Sequence, residues 1–238
     1  MTYLFPPVAV TTLMTQDSDS LFPVRRIFCV GRNYADHARE MGAHDQAEGK
    51  EPPFFFTKPA DALIGGAGQI AIPYPPATQD LQHEVELVAA LGKGGSNIPV
   101  TGALDCVVAY TVGLDLTRRD MQARAKAKAH PWDMSKGFDA SAVAGPLRLA
   151  SQCGHPGKGA IWLKVNGETR QQGDLSQMSW SVAGVIAQLS RLVRLAPGDL
   201  IYTGTPAGVG TLRSGDLVTA GIDGVGELSG KIGIAPSV

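Results

Sequence analysis

Short apolar runs, broken by glycine, proline and polar turn formers, dominate the chain, and few stretches keep a helical period. Residues 24–30, 54–58, 80–91 and 107–114 read as strands, the second and fourth of them buried. Asn166-Gly167 between two β-prone runs predicts a hairpin joining 160–165 to 168–171. Residues 35–41 read as a short helix ended by Gly42, 99–104 as a short helix or turn, and a further helix begins within 117–122. Val182, Val185, Ile186, Leu189, Leu192 and Val193 recur at helical spacing, which predicts one amphipathic helix over 174–194. The end of the chain, 215–234, alternates short strands and turns, with a hairpin signal at Asp223-Gly224. Residues 1–22 read as an extended, weakly structured lead-in, and 23–238 as one catalytic domain. The polar, turn-rich stretch 42–53 reads as a mobile lid loop. Strands outnumber helices without regular alternation. The fold class is therefore α+β and mostly β, a curled sheet or barrel-like roll with a few peripheral helices.

Composition narrows the function classes. A hydrophobic content of 44% over 238 residues is enough for a sizeable core, and 29 glycines with 16 prolines fit many turns. A formal net charge of -1 gives no electrostatic case for nucleic acid or an acidic membrane surface. The basic residues Arg118, Arg119, Arg124, Lys126 and Lys128 are interrupted by Asp120 and read as a solvated face. No apolar run approaches the roughly 18 residues of a membrane helix, and no secretory signal is expected at the start. Cys29, Cys106 and Cys153 are widely spaced and read as reduced, which predicts the cytoplasm.

The candidate chemistry centres on Glu84 and Glu86. Two residues apart in a strand, their side chains share a face. Taken alone the pair also describes a solvated strand face; in an apolar strand, two adjacent carboxylates call for neutralisation by a hard divalent cation with oxygen ligands. Asp115, ending an apolar strand, is placed to be a third ligand or an ordinary turn residue. His37 and Glu40 lie three apart on one helical face, the arrangement of a general base with its orienting carboxylate as well as of two surface residues. Lys58 reads as a strand-end surface lysine. Lys136, between serine and glycine, could reach an anionic substrate, although an isolated lysine defaults to the surface. Residues 204–210 hold three glycines and an exposed Thr205 after a buried strand, which suits close backbone approach to a carboxylate or phosphate. The stretch lacks the Lys-Ser/Thr end of a nucleotide-binding loop.

Five stretches in order (29–42, 52–64, 83–95, 110–122 and 198–210) carry a resemblance to the fumarylacetoacetate hydrolase family, covering about 27–233. Within it the chain is most similar to bacterial members that cleave fumarylpyruvate in gentisate-type aromatic catabolism. The resemblance implies that Glu84, Glu86 and Asp115 hold Mg²⁺ or Mn²⁺, that His37 and Glu40 activate water, and that Lys136 lies near the substrate. It implies substrate contacts at Gln122 and Thr205, with Arg32 and Tyr34 as further pocket candidates. It also implies a homodimer, and a small diketo acid as substrate. A fourth acidic ligand, supplied in larger relatives by an earlier part of the chain, is not expected. The predicted reaction is hydrolysis of fumarylpyruvate to fumarate and pyruvate. General acylpyruvate hydrolysis, oxaloacetate decarboxylation, 2-hydroxydienoate isomerisation and an idle small-acid-binding protein are the alternatives.

Overall fold

The computed structural model describes residues 2–16, 18–42 and 51–234. The fold is mostly β. Its largest sheet has eight strands and curls in a half-barrel. Seven of them run in the order Phe54–Lys58, Arg26–Gly31, Asp199–Tyr202, Val85–Leu91, Val107–Asp115, Ala142–Ala144 and Leu63–Gly65; Arg148–Leu149 pairs beside Val107–Asp115. Pairing is mixed: Asp199–Tyr202 runs parallel to Arg26–Gly31 and antiparallel to Val85–Leu91. A five-stranded sheet, ordered Glu168–Asp174, Ala160–Val165, Leu217–Ile222, Gly226–Ile232 and Gln69–Ile72, covers one face of the first.

The packing explains why Val85–Leu91 is apolar throughout: all seven residues are buried. Val85, Leu87, Ala89 and Leu91 enter the larger core with Ile161, Leu163, Val218 and Leu228 of the second sheet and Val185, Ile186 and Leu189 of the main helix. Val88 and Ala90 point the opposite way, into a smaller core with Leu13, Ile27, Cys29 and Tyr202. A strand buried on both faces shows no alternation. Glu86 belongs by parity to the Val88 and Ala90 side.

Most predicted elements are present, and several boundaries differ for identifiable reasons. Stretch 80–91 is two strands, Leu81–His83 and Val85–Leu91, which belong to different sheets and meet at Glu84. Phe54–Lys58 is the edge of its sheet rather than a buried strand: Phe54 and Thr57 are exposed. The Asn166-Gly167 turn takes φ of 52° and 84°, the left-handed pair that a two-residue type I′ hairpin needs. The helix expected over 174–194 is Val182–Leu192 alone. Asp174 instead caps a 3₁₀ turn at Leu175–Gln177 through a capping box, and Ser181 starts the helix by accepting the Gly184 N–H at 3.2 Å. In the lead-in, Thr12–Met14 pairs with Leu21–Pro23, and Leu13 is buried. Of the lid expected over 42–53, residues 43–50 lie outside the described residues. Among the described residues, no helix is long and apolar enough to cross a membrane.

Candidate active site

Strand register assembles the carboxylates. Val85 lies opposite Leu114 and Glu86 opposite Gly113, so Glu84 falls level with Asp115, whose N–H donates to the Glu84 carbonyl at 2.9 Å. Glu84, Glu86 and Asp115 therefore share one face. Their nearest carboxylate oxygens lie within 4.8 Å of one another, and all three residues are buried. Gly113, opposite Glu86, makes room for Val88 and Tyr202: a Cβ there would lie 2.5 Å from Val88 and 2.7 Å from the Tyr202 ring.

Three cations face the trio. Lys136 Nζ donates to Glu84 Oε2 at 2.7 Å and to Asp115 Oδ2 at 2.9 Å. Lys58 Nζ lies 2.8 Å from Asp115 Oδ1 and donates to the carbonyls of Leu116 and Lys136. Arg119 donates to Glu84 Oε1 at 2.5 Å, Gln82 Oε1 at 2.7 Å and Gln122 Oε1 at 2.8 Å. Burial opposes ionisation of Glu84, but Lys136 and Arg119 outweigh it and hold the carboxyl well below its ordinary range. Burial likewise opposes the Lys136 charge, and Asp115 and Glu84 overcome it, so the ammonium is held above its ordinary value. Glu86 is treated differently. It accepts the Gly204 N–H at 2.7 Å, and no ion pair reaches it among the described residues. Burial, then Asp115, then Glu84 push its carboxyl well up.

This donor set fits a metal. A hard divalent ion takes carboxylate oxygens. Glu86 is a buried carboxyl with no cation beside it among the described residues, so a bound cation would supply the counter-charge that lets it ionise against burial, Asp115 and Glu84. The trio can hold a metal ion.

The neighbouring dyad is also in place. His37 is buried on the Ala35–Glu40 helix, and its Nδ1 lies 3.3 Å from Glu40 Oε2. Burial lowers its pKa, against smaller upward effects of Glu84 and Glu40. The Gly208 N–H meets both Glu40 oxygens at 3.2 Å. The glycine-rich loop thus approaches carboxylates, as its composition predicts, and they are the protein's own: Glu86 at Gly204 and Glu40 at Gly208.

His37, Glu84, Glu86 and Lys136 line one cavity, together with Gln122 and Thr205. Arg32 lines it too, at φ 58°. Tyr34 is buried outside this lining, its hydroxyl without a hydrogen-bond partner. Thr205 is buried rather than exposed, because its Oγ1 accepts from Gln171 Nε2 at 2.8 Å.

A family model described as Fumarylacetoacetate (FAA) hydrolase C-terminal matches residues 26–233. The chain belongs to the fumarylacetoacetate hydrolase family. Fumarylpyruvate hydrolase from Pseudomonas aeruginosa, solved in complex with Mn²⁺ and pyruvate, is 50% identical with a TM-score of 0.93, over 98% of this chain and 100% of that one. The mitochondrial oxaloacetate tautomerase of Mus musculus is 40% identical over 87% of this chain and 91% of its own length. The mitochondrial oxaloacetate decarboxylase of Dictyostelium discoideum is 41% identical over 84% and 90%.

Three basic residues of this family member depart from the surface roles their sequence context assigns. Lys58 is 2% exposed and Lys136 3%, because each ammonium answers a buried carboxylate. Arg119 leaves the solvated face of its helix to reach Glu84. A signal for Lys58 was available: in an edge strand it shares parity with Phe54 and Phe56, which line the cavity.

Proposed function

We propose that the protein is a metal-dependent hydrolase that cleaves the C3–C4 bond of a 2,4-diketo acid, with fumarylpyruvate as substrate and fumarate and pyruvate as products. The observation that carries this reading is one cavity lined by His37, Glu84, Glu86 and Lys136, with Asp115 completing the buried carboxylate trio behind Lys136 and Glu40 bonded to His37. Glu84, Glu86 and Asp115 would hold the ion, with Mg²⁺ or Mn²⁺ as the metal. When bound, the ion supplies Lewis-acid polarisation to the keto-acid end of the substrate.

The chain's own groups account for the remaining chemistry. Glu40 beside Nδ1 favours the tautomer that leaves the His37 Nε2 lone pair free. The depressed His37 pKa keeps the imidazole neutral near pH 7, so Nε2 can take a proton from the water that attacks C4. As C3–C4 breaks, negative charge moves toward the 2-keto oxygen, where the Lys136 ammonium stabilises it. The proton held on His37 is then returned to C3. Fumarylpyruvate is preferred over other diketo acids because the fumarylpyruvate hydrolase is similar at 50% identity, against about 40% for the oxaloacetate enzymes. Those relatives favour oxaloacetate as a second reading, because it offers the same keto-acid end. Free Cys29, Cys106 and Cys153 support a reducing, cytoplasmic setting.

Loss of diketo-enol absorbance tests the assignment, with fumarylpyruvate, acetylpyruvate and oxaloacetate run side by side in Mg²⁺ and in Mn²⁺. Preference for fumarylpyruvate, with both products recovered, is the expected result; faster consumption of oxaloacetate would transfer the assignment to the second reading. His37→Ala should lower kcat by about 10²-fold or more and remove the acid limb of the pH profile. A change below about threefold would take His37 out of the chemistry.

A further inference from the structure

The keto-acid end of such a substrate has its partners in Lys136 and the ion that the carboxylate trio would hold. The far end has none assigned. Several basic side chains lie in this part of the fold, and most are committed elsewhere. Arg119 is engaged by Glu84, Gln82 and Gln122. Arg118 donates to the Met134 carbonyl and lies 4.4 Å over the Phe138 ring, and Arg124 pairs with Asp120 at 3.8 Å. Neither Arg118 nor Arg124 lines the cavity.

Two basic residues that line the cavity remain, Arg32 and Lys126, and an aromatic wall joins them to the carboxylate centre. The Lys136 ammonium lies 5.0 Å from the Phe56 ring centroid, and Phe56 meets Trp132 at 6.2 Å. Trp132 meets Phe54 edge-on at 5.7 Å. Lys126 lies 5.2 Å over the Trp132 ring, and Arg32 lies 5.8 Å over Phe54. All six side chains face the same cavity. Among the described residues, no carboxylate forms an ion pair with Arg32 or Lys126. Partial burial, followed by the charges of Arg119 and Arg32, lowers the Lys126 pKa, against an opposing effect of Glu84.

The backbone is specialised for this placement. Arg32 sits at φ 58°, a region that costs a non-glycine residue free energy and is retained where function requires it. Gly31 lets the Phe54 ring lie against the chain beside it, since a Cβ there would fall 2.0 Å from Phe54 Cζ.

We propose that Arg32 and Lys126 form the subsite for the distal carboxylate of the substrate, so that the enzyme selects dicarboxylic over monocarboxylic 2-keto acids. The substrate lies along the Phe56–Trp132–Phe54 wall, its keto-acid end at Lys136 and its far carboxylate between the two outer cations. This rests on the diketo-acid reading above and deepens it.

The test measures kcat/KM on fumarylpyruvate and on acetylpyruvate, which lacks the distal carboxylate, for the wild type, Lys126→Met and Arg32→Asn. Asparagine tolerates positive φ, so the second variant removes the charge without adding backbone strain. Each variant should lose at least about tenfold on fumarylpyruvate, mainly through KM, while acetylpyruvate changes by less than about threefold. Equal losses on both substrates, or an unchanged preference, would overturn the subsite. Lys126→Met, at an exposed helical position, decides the matter if Arg32→Asn does not fold. If the wild type cleaves neither substrate, the functional reading fails, and the subsite is judged by calorimetric binding to the Mn²⁺-loaded protein. There 2-oxoglutarate should bind at least about tenfold tighter than 2-oxopentanoate, with the difference lost in both variants. Equal binding by the wild type would overturn it.

Discussion

Glu86 shows what the site costs the fold. Buried, and faced by Asp115 and Glu84, it is kept from ionising easily, and the Gly204 N–H is its direct polar contact. Glutamine in its place would keep an oxygen for that N–H and remove the repulsion. Glu86→Gln should therefore raise the melting temperature of the metal-free protein by roughly 2–4 °C, the equivalent of about 1 kcal/mol at this chain length. The same change should shrink the rise in melting temperature produced by Mn²⁺, since one ligand charge is gone. Calorimetry in chelator and in Mn²⁺ reads both effects. A lower metal-free melting temperature, or an undiminished Mn²⁺ shift, would contradict the assignment of repulsion at Glu86. The carboxylates themselves were legible in the sequence, because Glu84 and Glu86 are set by strand parity and Asp115 by the end of an apolar run. Their counter-ions were not. A lysine at a strand end or an arginine at a helix start is solvated by default, and the partners of Lys58 and Arg119 come from strands distant in the chain. Tertiary pairing decides their burial.

At the level of elements, the loop 204–210 links the two halves of the site. Gly204 holds the metal-side carboxylate Glu86, and Gly208, four residues on, holds Glu40 of the dyad. Gly208 adopts φ 96°, and a Cβ there would lie 2.2 Å from the Arg170 carbonyl oxygen. Alanine must therefore displace the loop from the Glu168–Asp174 strand and draw the N–H away from Glu40. Gly208→Ala should lower kcat by about tenfold or more while Mn²⁺ affinity stays within about threefold, because the Gly204 tether is separate. Metal titration followed by steady-state kinetics separates the two effects, and a Gly208→Ala enzyme with wild-type kcat would detach the loop from the dyad. The glycine pattern announced close backbone approach, but sequence could not say which carboxylates were approached. The helix near 174–194 failed for a related reason. Asp174 and Ser181 are both good caps, so periodicity alone placed one helix where the chain makes a capped 3₁₀ turn, a break and a shorter helix.

For the whole molecule, the mostly β class followed from many short apolar runs between turns. The sheet order did not, since it depends on pairings between distant segments: Asp199–Tyr202 inserts between Arg26–Gly31 and Val85–Leu91. Quaternary structure belongs to the same scale, and the lead-in bears on it. The chain is anchored where Leu13 is buried and the Leu147 N–H donates to the Met14 carbonyl at 2.8 Å. Before that anchor, Tyr3, Leu4, Phe5, Val8 and Val10 are between 65% and 102% exposed. Five large apolar side chains along one short arm are an unfavourable surface for an isolated chain and a suitable one for contact with a second copy. We expect a homodimer with this arm in the interface. Sedimentation should give twice the chain mass, and Leu4→Ser combined with Phe5→Ser should shift the equilibrium toward the monomer by at least about tenfold in Kd, each buried apolar side chain contributing roughly 1.5–3 kcal/mol. A dimer indifferent to both substitutions would place the interface elsewhere, and a single-chain mass at every concentration would remove it.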